Sequence, residues 1–153
     1  MLKLFAVIVI NVMIYIHMGV VSAEVRSSTA EEFKQALYYS VKGLSVTDDY
    51  LSVITNGNVQ DLQHKLKVCE YEYNVLYDMH SQNVIKGKEA RVCVFNAMII
   101  LQERHLALMY LSNAATANAR GNYSEYERCL EKVRKYIKSA NDLRQQFKAT
   151  YGY

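Results

Sequence analysis

Not one proline interrupts the 153 residues of this chain. Proline removes a backbone donor and breaks helices, so its absence leaves long uninterrupted helices open to the chain. From Val59 onward, the apolar residues recur at three- and four-residue steps, and the strong stop signals inside that stretch are Gly87 and Gly121. This pattern constrains the fold more than any motif does. It predicts long helices joined by short turns.

Four main helices and one short one account for the periodicity. Thr29 is placed to cap the first, with Glu32 completing a capping box; Ser28 is the alternative cap. Phe33, Ala36, Leu37, Val41 and Leu44 give that helix one apolar face, and Gly43 marks its end. A short piece follows through Tyr50, Leu51 and Ile54, stopped by Asn56-Gly57-Asn58. The second long helix runs from about Val59 to Lys86, with the stripe Leu62, Leu66, Cys69, Tyr73, Leu76 and His80 and with Gly87 as its C-terminal cap. The third, from about Glu89 to Ala119, is apolar nearly all round, the pattern of a central helix covered on several sides. Asn122 caps the last, with Glu125 at the third position; Tyr126, Cys129, Val133, Ile137, Ala140 and Phe147 form its stripe. The expected fold is therefore all-α, an up-and-down bundle of about four long helices.

The N-terminus is organised differently. Met1-Leu2-Lys3 is followed by an almost wholly apolar run from Leu4 to Val21, then by Val21-Ser22-Ala23. A short basic region, an apolar core and a small-residue site form the layout of a secretory signal peptide, with cleavage after Ala23. Residues 1–23 are read as signal peptide and 24–153 as a single secreted, extracellular domain with no membrane attachment after cleavage. The chain has 18 Lys+Arg and 15 Asp+Glu, and only Lys3 falls in the first 23 residues, leaving 17 against 15. That balance argues against nucleic acid as a partner.

Export gives the three cysteines an oxidising setting. Counting down each helix from Gly87, Cys69 and Cys129 differ by only about 9 Å along the axis. Cys93 differs from them by about 18 and 27 Å. A disulfide needs Cα atoms within about 7 Å. The expected bridge is therefore Cys69–Cys129, with Cys93 left as a free core thiol or as the link of a disulfide-bonded homodimer.

Constellations that could carry chemistry are sparse. His80 and Cys93 share a level, but no orienting acid, oxyanion loop or Gly-rich elbow accompanies them, so no catalytic residue is assigned. Cys69, His105 and Cys129 lack the spacing of a compact metal motif, so no metal or cofactor is expected. Tyr71, Tyr73 and Tyr77 form a candidate contact surface on the second helix. Asn122-Tyr123-Ser124 is a glycosylation sequon, with Asn122 equally suited to a helix cap. Signatures of secreted phospholipases, insect odorant-binding proteins and plant invertase inhibitors are absent. These readings point to a non-enzymatic secreted protein that binds an extracellular protein partner. A short secreted helical chain rich in Tyr, Asn, Ile and Lys would suit an invertebrate salivary or venom-type factor. The alternative is a carrier of a small apolar ligand, with Met98 and Met109 lining its cavity.

Overall fold

The computed structural model describes residues 26–53, 58–82 and 84–153. The proposed signal peptide and the Ile54–Gly57 part of the expected short piece and turn lie outside them. The described residues fold into helices only: α1 (Ala30–Val46), α2 (Val59–Ser81), α3 (Lys88–Ala119) and α4 (Tyr123–Tyr151). Helix α3 is the hub. It packs most extensively on α4, then on α2 and on α1, while α2 and α4 scarcely meet.

Local chemistry explains most of the boundaries. Thr29 accepts from the Glu32 amide at 3.2 Å, and Glu32 accepts from the Thr29 amide at 3.0 Å, completing the expected capping box. Asn58 caps α2 by accepting from the Gln60 amide, and Asn122 caps α4 by accepting from the Glu125 amide. Gly121, at φ 68°, ends α3 in a left-handed conformation that residues with a Cβ adopt only at a cost.

Two glycines do something other than expected. Gly43 does not end α1, which continues three residues further to Val46. It is buried where α1 and α2 approach closely, and a Cβ there would stand 3.2 Å from the Glu72 carboxylate. Gly87 is the N-cap of α3 rather than the C-cap of α2, which stops earlier, at Ser81. Having no side chain, Gly87 cannot cap, and the remote Ser28 does so instead by accepting from the Ala90 amide at 2.8 Å. The Lys88 amide donates to the Arg26 carbonyl, and the Ser28 amide donates to Glu89. Residues 26–29 are thus strapped across the start of α3. A Cβ on Gly87 would lie 2.2 Å from the Ser28 backbone.

The core has two parts. The larger joins Ala36 and Leu44 of α1 to Leu76, Cys93, Val94, Ala97, Ile100, Leu101 and Phe147. The smaller gathers Tyr50, Val53, Leu62, Cys69, Ala107 and Leu108. Between them lies a polar cluster. Arg104 of α3, 2% exposed, donates to the Leu44 carbonyl at 2.7 Å, to Thr47 and to Asp48. Arg144 of α4, 8% exposed, donates to both Asp48 oxygens at 3.2 and 3.0 Å. Tyr50 and Tyr153 present ring faces to the two guanidinium groups at 5.3 and 4.7 Å. Asp48 therefore ties the C-terminal end of α1 to α3 and α4. Partial burial opposes its ionisation, but the hydrogen bonds and charges of Arg144 and Arg104 outweigh that and hold its pKa below the usual carboxylate value.

Candidate interaction surface

The expected site residues are not assembled. Cys69, Cys93 and Cys129 are all buried free thiols, so the expected Cys69–Cys129 bridge is not formed. The axial count placed those two at a similar height but could not see sideways. Cys69 belongs to α2 and Cys129 to α4, helices that flank α3 and scarcely touch. Cys69 packs in the smaller core cluster, whereas Cys129 donates to Glu125 at 3.5 Å. Cys93, the expected free or dimer-forming thiol, is fully buried and donates to Ser40 of α1 at 3.9 Å. In that position it cannot reach a second chain. Burial pushes the Cys69 and Cys93 thiols up to about 11, which leaves little thiolate at neutral pH.

His80 does not approach Cys93. Its ring lies 6.2 Å from that of Phe95, two residues beyond Cys93 and so about 160° around α3. Burial lowers the His80 pKa, and the nearby Arg91 lowers it further. His105 faces α2, where burial lowers its pKa and Glu70 partly opposes the shift. Among the described residues, no three metal-ligating side chains come together.

The tyrosines divide. Tyr73 and Tyr77 stack at 6.3 Å on one side of α2. Tyr71 is about 160° from Tyr73 around the helix and projects to the other side, 65% exposed. The three therefore do not form one contact surface. Asn122 is exposed, and its cap uses Oδ1. Its Nδ2, the atom that a glycan would take, has no protein partner among the described residues.

The surface that stands out lies on α3. Its buried residues, among them Cys93, Ala97, Ile100, Arg104 and Ala107, face α1. Helix α2 covers one flank, through His80 against Phe95. Helix α4 covers the other, through the Tyr110–Tyr136 stack at 5.6 Å. The fourth side is the least covered. Val92, Phe95, Ile99, Gln102, Leu106 and Met109 run along it in alternating three- and four-residue steps, all partly exposed and Val92 at 41%. Among the described residues, α3 is the one helix long and apolar enough to cross a membrane, yet only half of its most apolar window is buried. The sequence pattern of a central helix covered on several sides holds, with three neighbours packed on α3, but it did not show which side is left most open.

No protein-family model, curated protein or solved structure matches the chain.

Proposed function

We propose that this chain is a secreted, non-enzymatic protein that acts by binding an extracellular protein through the outer face of α3, between α2 and α4. The signal-peptide pattern of residues 1–23 supports the secretory route. The observation that carries the interaction is the strip of Val92, Phe95, Ile99, Leu106 and Met109, interrupted at Gln102, on a helix whose other sides are packed. Core requirements do not explain the strip, because Phe95, Ile99, Leu106 and Met109 face away from α1 and remain partly in solvent. A partner that covered them would.

The fold should depend on this strip far less than on the opposite side of the same helix. Phe95→Gln and Leu106→Gln should each cost well below the roughly 2–5 kcal/mol expected of Leu101→Ala in the packed core. Urea unfolding of the three variants measures the difference. Equal losses would mean that the strip is core and the docking reading fails. Mass spectrometry of the exported protein tests the other half of the proposal, which expects an N-terminus at Glu24 and a glycan, if any, on Asn122.

One observation favours the carrier alternative. An apolar pocket of about 170 Å3 lies between Val53, Leu62, Leu111, Ala114, Tyr126 and Leu130. Neither Met98, which is buried in the core, nor Met109, on the outer face, lines it. Its volume is below the roughly 300 Å3 at which ordinary ligand sites begin, so the protein-binding reading is preferred.

A further inference from the structure

At the end of the bundle where α2 begins and α3 turns into α4, a pocket of about 170 Å3 opens between the helices. The sequence explains why space is left there. Leu106, Leu108 and Leu111 of α3 give way to Ala114-Ala115-Thr116-Ala117, and small side chains fill less of the volume between neighbouring helices. Helix α1 does not fill it either. It ends at Val46, near the level of Arg104, which meets Leu44 and Thr47, and so about 15 Å short of Ala114 along α3.

The lining decides what the pocket can hold. Val53, Leu62 and Ala114 are its buried part, and the half-buried Leu111, Tyr126 and Leu130 complete the apolar wall. None of the lining residues is charged, so a charged group entering the pocket would lose water and gain no counter-ion there. The side-chain polar groups are the Asn58 amide, whose oxygen is spent on the cap of α2, and the Tyr126 hydroxyl. The ring of Tyr126 offers an aromatic neighbour. The volume is too small for a drug-sized molecule. It matches the roughly 150 Å3 at which an apolar cavity accepts benzene.

We propose that this pocket is a binding site for a neutral monocyclic aromatic molecule of about six to eight non-hydrogen atoms. The site is separate from the outer face of α3 and does not rest on the reading of that face. It also differs from the expected carrier cavity, since Met98 and Met109 take no part in it.

The test uses the protein expressed from the full sequence and two probes of equal size, ethylbenzene and benzylammonium, which differ in charge. In isotope-labelled protein, ethylbenzene should shift the amide resonances of Leu62, Ala115 and Tyr126 saturably. Benzylammonium should bind at least about tenfold more weakly. Ala114→Leu fills the pocket and should abolish the ethylbenzene shifts while circular dichroism stays helical, and Ala115→Leu serves if Ala114→Leu does not fold. Leu106→Gln, on the outer face of α3, should leave the shifts unchanged. No saturable shift in the folded protein, or equal affinities for the two probes, would overturn the proposal. Ethylbenzene binding that survives in the filled variant, or that Leu106→Gln removes, would place the ligand elsewhere and overturn it as well.

Discussion

Arg104 sits in the most apolar helix of the chain, and every hydrogen bond that makes its burial tolerable comes from outside that helix. Leu44, Thr47 and Asp48 take its protons, and Arg144 shares the same carboxylate. Breaking a buried ion pair by removing one partner leaves an uncompensated charge. Asp48→Ala should therefore destabilise by about 3 kcal/mol, the low end of the usual range because the carboxylate is partly in water. Arg104→Met should cost less, since it removes the buried charge and keeps most of the volume. Chemical denaturation of both variants gives the order, and a larger loss for Arg104→Met would show that packing, not charge, holds the cluster. The thiols make a second test at this scale. With no disulfide and with burial suppressing thiolate, Ellman's reagent at pH 8 should leave the folded protein almost unmodified and should titrate all three cysteines in denaturant. Two missing thiols in denaturant would mean that a disulfide forms and that the free-thiol reading fails.

At the scale of elements, the capping residues were legible because caps are local. Thr29 with Glu32, Asn122 with Glu125, and Gly121 each act within four residues of themselves. Gly43 and Gly87 were misread as C-caps for the opposite reason. At each of these positions a distant segment approaches closely: the Ser28 backbone leaves no room for a Cβ on Gly87, and the Glu72 carboxylate would lie tightly against one on Gly43. Gly87→Ala should consequently detach the 26–29 strap. A Cβ pressed into backbone cannot be relieved by a rotamer change, so a loss of about 1–3 kcal/mol is expected. Hydrogen exchange should show faster exchange of the Lys88 and Ala90 amides, which donate to Arg26 and Ser28. Unchanged protection there would mean that the strap adds nothing to α3.

At the scale of the whole molecule, the shifted groups combine into one pH profile. Arg26 and the Thr29 cap lower Glu32 to about 2, and hydrogen bonds also lower Glu89 and Glu125. The unfolded chain takes up protons on these groups first, so their stabilisation is lost as pH falls below about 4.5. Burial depresses His80 and His105, which destabilises the fold as pH falls below about 6.5. On the alkaline side, burial raises Cys69 and Cys93 to about 11 and Tyr50 to about 12. The unfolded chain then loses protons first, and stability falls above about pH 8.5. Thermal melts across pH should give a maximum near neutrality. A midpoint still rising at pH 10 would contradict the burial of these three groups.

The sequence by itself determined the helical class, the number of long helices and most of their ends, because periodicity and capping are short-range. It also determined the apolar character of α3. Which side of α3 would remain least covered was decided only by tertiary structure. Helices α1, α2 and α4 each bury a single stripe, and where those stripes meet α3 depends on lateral packing that a count along the axis does not contain. The same packing sets Cys69 and Cys129 on opposite flanks of α3, splits Tyr71 from Tyr73 and Tyr77, and brings Asp48 to two arginines far along the chain. A helix that is apolar all round, beside neighbours that reach three of its sides, must leave the fourth for something else to cover.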